Sequence, residues 1–255
     1  MTIVGLQFDI AWENKPANFA TVRRLLAQAA PQRGSLVVLP EMFGTGFSMN
    51  VAQVAEAYGG ETEQFLAATA KEYGIHLLAG AAMRGRDDRA RNKALVFSPA
   101  GELIAFYAKM RPFTPGGEKE HYTAGEHPVT FKWNESTVSP FVCYDLRFPE
   151  LFREAAAAHR PELFVVIASW PDKRIHHWVA LLQARAIENQ AYVIGVNRIG
   201  TDPFYTYRGR SLIVDPQGTI LADAGSAEVI VSAQLDLANL RKYREGLPFL
   251  ADMKR

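Results

Sequence analysis

Three side chains capable of chemistry stand where apolar runs stop: Glu41 in SLVVLPEMF, Lys109 in ELIAFYAKM and Cys143 in STVSPFVCYD. Taken singly, each has an ordinary explanation. A lone cysteine is most often a small apolar core residue, and a carboxylate or ammonium at the end of a strand is usually just hydrated. Together they make a thiol nucleophile, a base to take its proton and a cation to stabilise an oxyanion, which is the equipment for acyl transfer through a thioester. Cys143 has the more telling surroundings. It closes the apolar run VSPFVC, the next residues turn polar, and Pro149 is well placed to begin a helix. A strand, a sharp turn and a helix start form an elbow that presents the side chain at the end of a sheet, with backbone N–H groups such as that of Tyr144 nearby. A thiol with an ordinary pKa of about 8.5 is mostly protonated at neutral pH, so it needs a partner to remove its proton.

Histidine is the usual partner for a catalytic cysteine, and the chain has six. None stands in a distinctive motif. His76 begins an apolar run, His159 ends an expected helix, and His176 with His177 lies at the start of another. Surface and packing roles account for them, and a cysteine–histidine peptidase is the weaker reading.

The elements that must position these groups are legible from periodicity. Eleven short β-rich runs read as strands: IVGLQF, SLVVLP, HLLAGAA, NKALVFSP, ELIAFYAK, VTFKW, STVSPFVCY, LFVVIASW, AYVIGVNRI, RSLIVDP and EVIVSAQL. Helices are expected over residues 17–30, 61–73, 149–159, 174–189 and 237–244. The run 163–168 is apolar throughout, as in a sheet covered on both faces. Turn signals at Pro99-Ala-Gly and Asp215-Pro-Gln-Gly imply antiparallel neighbours. Three strands in succession between His76 and Lys109 break the strict βαβ alternation of a doubly wound sheet. The expectation is therefore a layered α/β fold, sheet packed on sheet with helices outside, as one domain over residues 1–255.

Composition narrows the function. Of 255 residues, 28 are basic and 27 acidic, leaving a formal charge of +1 and no global field to attract nucleic acid or an anionic membrane. No apolar stretch reaches membrane-spanning length, no secretory leader is evident, and one cysteine cannot form an internal disulfide. A cytoplasmic protein acting on a small molecule fits these facts. No Cys/His cluster has metal spacing and no nucleotide loop is present, so neither metal nor cofactor is expected.

The segments LPEMF, YAKMRPF, FVCYDLRFPEL, ASWPDKR, ARAIENQAYVIGVNRIG and YRGRSLIVDPQG resemble, in order and across essentially the whole chain, the nitrilase or carbon-nitrogen hydrolase superfamily. The resemblance implies a four-layer α-β-β-α sandwich with two mixed sheets face to face, commonly paired as a homodimer, and a catalytic triad mapping onto Glu41, Lys109 and Cys143. It implies a second glutamate after the lysine; aligning the TAG segment at 123–125 places it at Glu118, with Glu120 as the alternative. CYDLRFPE, SWPDKRIHHW and LLQARAIENQAYVIGVNRIGTD are most similar to the ω-amidase branch, whose members hydrolyse the terminal amide of 2-oxo acid amides such as 2-oxoglutaramate and 2-oxosuccinamate. The DLRFPE string also occurs in deaminated-glutathione amidases. A nitrilase proper and an N-carbamoyl hydrolase would use the same triad, and a non-catalytic binding subunit of the same fold would not need it.

Such a substrate carries a carboxylate away from the amide, and a guanidinium fork suits it. Arg147 is the candidate, against the alternative that it pairs with Asp145 or Glu150. Phe113, Tyr144 and Trp170, and also Phe43, could wall a small pocket, Trp170 foremost because it follows the strand LFVVIAS directly. The loop TDPFYTYRG at 201–209 is rich in aromatic residues, but its sequence does not fix the size of the substrate.

Overall fold

The computed structural model describes residues 1–253. Its strands are β1 Thr2–Gln7, β2 Leu36–Val38, β3 His76–Arg84, β4 Ala90–Phe97, β5 Leu103–Ala108, β6 Phe131–Trp133, β7 Ser136–Val142, β8 Leu163–Ala168, β9 Tyr192–Asn197, β10 Ile199–Thr201, β11 Thr206–Arg208, β12 Leu212–Val214, β13 Ile220–Asp223 and β14 Val229–Gln234. The helices are α1 Lys15–Ala29, α2 Val51–Val54, α3 Glu61–Tyr73, α4 Glu118–His121, α5 Pro149–His159, α6 Ile175–Asn189 and α7 Leu237–Gly246.

One six-stranded sheet runs β14-β1-β2-β3-β4-β5 and another β13-β12-β9-β8-β7-β6, while β10 and β11 form a separate hairpin. Each sheet has a parallel centre, β1-β2-β3 in one and β7-β8-β9 in the other, with antiparallel flanks. Alternation along the strands explains the layering. In the first sheet Ile3, Leu36, Val38, Leu78, Ala94 and Val96 point to one face and join a core with Val138, Val165, Ile194 and Val196 of the second sheet. Their neighbours Val4, Val37, Leu77 and Leu95 point the other way, into a cluster with Val22 and Leu26 of α1 and Phe65 and Leu66 of α3. On the far side of the second sheet lie α5 and α6, through Phe152, Ala155, Trp178 and Leu182. The result is the four-layer α-β-β-α sandwich expected. Gly195 on β9 lets α6 lie close, since a Cβ there would sit 2.4 Å from Leu182 Cδ1.

All eleven expected strands form. The run AYVIGVNRI, however, divides into β9 and β10 on either side of Arg198, because the fully buried Arg198 turns aside to bond Asp9 Oδ1 at 2.8 Å. Two strands escaped the reading, β11 and β13, each only three or four residues long and partly exposed. The expected helix at 17–30 begins two residues earlier, where Asn14 Oδ1 accepts from Ala17 N and Pro16 sits in the first turn.

Candidate active site

Glu41 enters the site on a turn just past β2. Gly80 on β3 clasps that turn: its N–H donates to Pro40 O and its carbonyl accepts from Phe43 N, both at 3.1 Å. A Cβ at residue 80 would lie 2.6 Å from Glu41 Cα, so only glycine permits the approach. Lys109 follows β5 directly; its N–H donates to Asn92 O and its carbonyl accepts from Gly125 N, both at 2.9 Å. Glu118 opens the short helix α4. Cys143 follows β7 with φ of +47°, a left-handed conformation uncommon for a residue with a side chain and typical of a strained elbow.

These four residues, far apart in sequence, form one buried array. Lys109 Nζ donates to Glu41 Oε1 at 3.0 Å and to Glu118 Oε2 at 2.7 Å. Asn92 Nδ2 bridges the same two carboxylates from the other side, at 2.7 and 2.8 Å. Phe113 N donates to Glu118 Oε2 and Ser169 N to Glu41 Oε2. The peptide of Ser169 also faces the nucleophile, with its carbonyl 3.9 Å from Cys143 Sγ. Glu118, rather than the exposed Glu120, is the second glutamate of the cluster.

The electrostatics follow from burial. Desolvation alone would lower the pKa of the Lys109 ammonium, but Glu118 and Glu41 together outweigh it and hold the pKa above the ordinary lysine value. Burial, and then the charge of Glu41, pushes the Cys143 thiol well up, with Lys109 opposing. The resting thiol is therefore neutral, and a base must act during the attack rather than before it. Of the three N–H bonds on Lys109 two are committed to carboxylates, leaving one for an incoming oxygen.

Asp145 braces the elbow. Its Oδ2 accepts from Val142 N at 3.1 Å and Tyr107 Oη at 2.8 Å, and its Oδ1 from Arg111 N at 2.8 Å, so one carboxylate ties the flank of Lys109 to the flank of Cys143. Burial raises this carboxyl to about 7 against the pull of Lys109 and the three donors. Unfolded, it would titrate near roughly 3.9. Between those values the folded state holds the extra proton, so this group's contribution to stability grows as pH falls from about 7 toward roughly 4. Protonation, however, removes an acceptor that the brace needs. The expected result is an acidic limb in kcat near pH 7 that Asp145→Asn flattens at a reduced plateau; an unchanged limb in that variant would assign it to another group.

Cys143 opens onto a cavity of about 370 Å³ including its mouth. Phe113, Tyr144, Arg147 and Trp170, all expected at the pocket, line it, joined by Phe47, Ser169, Arg174 and Tyr205, which the sequence reading did not single out. Arg147 lies over the Trp170 ring at 4.6 Å, and its Nη1 is 3.3 Å from His177 Nδ1. It makes neither ion pair weighed for it: Asp145 is engaged as described, and Glu150 reaches Arg111 at 3.8 Å. Burial, and then the neighbouring charge of Arg174, lowers the Arg147 pKa. Trp170 fixes that corner through Nε1, which donates to Arg174 O at 2.8 Å. Phe43 is not in the pocket. It is fully buried against Phe19 and Phe65, because the turn after β2 directs it into the outer core. No histidine lines the cavity. Asn92 was missed because one amide between Arg91 and Lys93 at the start of a strand carries no local signal of burial. Ser169, whose buried Oγ has no partner among the described residues, sits within the strand end ASW and was equally silent.

Among the described residues, no helix is long and apolar enough to cross a membrane. The chain is 34% identical over 255 residues to the 2-oxoglutaramate amidase of Bacillus subtilis, covering 100% of this chain and 98% of that one. It is 37% identical over 254 residues to omega-amidase YafV of Escherichia coli K12, covering 99% and 96%. Among solved structures, XC1258 from Xanthomonas campestris, described as a CN-hydrolase superfamily protein with an arsenic adduct in its active site, superposes with a TM-score of 0.94 at 31% identity, covering 100% of this chain and 97% of that one. The carbon-nitrogen hydrolase model matches residues 2–245, so the motifs, the four-layer fold and the full-length relatives agree: this chain belongs to the carbon-nitrogen hydrolase family.

Proposed function

We propose that the protein is an ω-amidase that hydrolyses the terminal amide of 2-oxo dicarboxylic acid monoamides, 2-oxoglutaramate and 2-oxosuccinamate, with the whole chain acting as one catalytic unit. The observation that carries this reading is the Arg147 guanidinium, which pairs with no carboxylate among the described residues, in the same small cavity as the Cys143 thiol. The amide end of such a substrate meets the nucleophile while its carboxylate meets the arginine. The names of the full-length relatives support the same substrate class.

Glu41 takes the thiol proton as Cys143 Sγ bonds to the amide carbon. The oxyanion that forms is stabilised by the remaining Lys109 N–H and by the backbone N–H of Tyr144, which lies in the first turn after the elbow where N–H groups lack helical acceptors. Glu41 returns the proton to nitrogen, the C–N bond breaks and ammonia leaves. Water then loses a proton to Glu41 and attacks the thioester, the C–S bond breaks, and the proton returns to sulfur. Glu118 holds Lys109 in place, and Phe113, Tyr144 and Trp170 wall the substrate. The chemistry needs only water. We assign the protein to the cytoplasm as a homodimer, in keeping with its family resemblance and single cysteine; sedimentation of the purified protein tests the assembly.

Ammonia release from 2-oxoglutaramate, a short nitrile and an N-carbamoyl amino acid decides among the family's chemistries. Turnover of the oxo-acid amide well above the other two is expected; preference for either of the others overturns the reading. Arg147→Lys, which keeps the charge but loses the fork, is expected to raise KM for 2-oxoglutaramate by about tenfold with little change for a neutral amide. Equal effects on both would remove Arg147 from carboxylate recognition.

A further inference from the structure

Behind the wall of the Cys143 cavity lies a second hollow with no part in the chemistry above. It encloses about 850 Å³ including its mouth, and Trp12, Met49, Pro115 and Phe204 make its lining mainly apolar, with Asn50 and the hydrogen-bonded pair Ser48 and Glu13 as its polar members. Phe204 is 71% exposed, unusually open for so large an apolar group away from a binding surface. Two side chains belong to both hollows, Phe47 and Tyr205. They are the partition between them.

The two halves of the partition are held differently. Phe47 is 8% exposed, its ring lies 5.1 Å from Lys109 Nζ, and it packs with Met42 and Tyr122, so it is part of the catalytic surroundings. Tyr205 is fixed through its backbone: its N–H donates to Asp202 Oδ1 at 2.8 Å, while its hydroxyl has no hydrogen bond among the described residues. The hairpin that carries it is anchored independently of that ring. Asp202 also accepts from Phe204 N and Tyr207 Oη, Arg208 pairs with Asp172 at 3.1 Å, and Phe204 meets Trp12 edge-on at 6.0 Å. Removing the Tyr205 ring therefore opens the partition on one side, beside the fixed Phe47, and leaves the hairpin its supports.

We propose that Tyr205 sets the acyl length the site accepts, its ring closing the Cys143 cavity from an apolar groove that would otherwise take an alkyl or aryl chain. With the ring present, a short dicarboxylic monoamide fills the space and Arg147 rewards its carboxylate. Without it, the Trp12, Met49 and Phe204 groove becomes continuous with the nucleophile, and each methylene that enters gains affinity by leaving water. The consequence for amide hydrolysis rests on the amidase reading; the partition itself does not.

The test reads both levels in wild type, Tyr205→Ala and Tyr205→Ala with Met49→Trp, the last refilling the groove. Alkylation of Cys143 by iodoacetamide and by N-hexyl iodoacetamide, followed by mass spectrometry, reports the geometry without requiring turnover. Tyr205→Ala is expected to raise the hexyl-to-parent rate ratio by about tenfold, and Met49→Trp to return it toward wild type. Hydrolysis of hexanamide relative to 2-oxoglutaramate is expected to shift in parallel. An unchanged alkylation ratio in Tyr205→Ala overturns the proposal, as does a raised ratio that Met49→Trp leaves in place. If the alkylation ratio shifts while wild type releases ammonia from no amide, the partition stands and the amidase reading fails. A Tyr205→Leu variant, which keeps an apolar hairpin face but shortens the wall, is expected to give a smaller shift of the same sign, and guards against loss of fold in the alanine variant.

Discussion

Cys143→Ala is expected to lower amide turnover about a millionfold, because the variant keeps the cavity, the oxyanion donors and the base but has no atom to form the acyl bond. The fold should hardly notice. The thiol is neutral at rest and makes one weak contact, with the Ser169 carbonyl, so deleting one sulfur removes little. Two measurements check this together: ammonia release, and the mass of protein quenched during turnover, which in wild type carries an acyl adduct at Cys143 and in the variant carries none. Turnover retained above about a thousandth of wild type, or an adduct on another residue, would end the nucleophile assignment.

Lys109→Met is expected to be costly twice. Loss of one oxyanion donor costs about a hundredfold to a thousandfold in kcat. Stability suffers as well, because Glu41 and Glu118 are both fully buried and the lysine is the cation between them. Breaking such an array by removing one partner costs about 3–5 kcal/mol. Because the Lys109 pKa is raised, its contribution is fully present across the neutral range and declines only as pH rises beyond the ordinary lysine value. The two effects separate in the double variant Lys109→Met with Glu118→Gln, which removes one uncompensated charge: its denaturation midpoint should recover much of the loss while kcat stays low. Recovery of kcat with stability would make Lys109 a structural counter-ion and no more.

Much of this was legible in the chain, and the limits have physical causes. The strand β8, buried on both faces, declared itself through an unbroken apolar run, and the hairpins at 98–102 and 215–219 through their turn residues. The elbow at Cys143 was readable because a strand, a polar switch and Pro149 follow one another within a few residues. Choosing between Glu118 and Glu120 was beyond the sequence, since two residues of a helix differ by about 200° in direction and only packing decides which one turns inward. Asn92 stayed hidden for a related reason. Its partners, Glu41 and Glu118, come from 51 and 26 residues away, and periodicity carries no information about such meetings. Tyr205 and Arg174 lie on a hairpin and a turn joined through the pair between Arg208 and Asp172, a link that neither segment announces alone.

Glu41 and Lys109 ride on strand ends of one sheet and Cys143 on the other. A chain that has formed both sheets without bringing them together therefore holds every reactive group and no enzyme. The contacts that complete the array span up to 128 residues of sequence, from Glu41 to Ser169, and contacts of that separation form late because a long loop must close first. During synthesis the carboxylate emerges from the ribosome about a hundred residues before the thiol, so the nascent chain is chemically silent until its second half has folded onto its first.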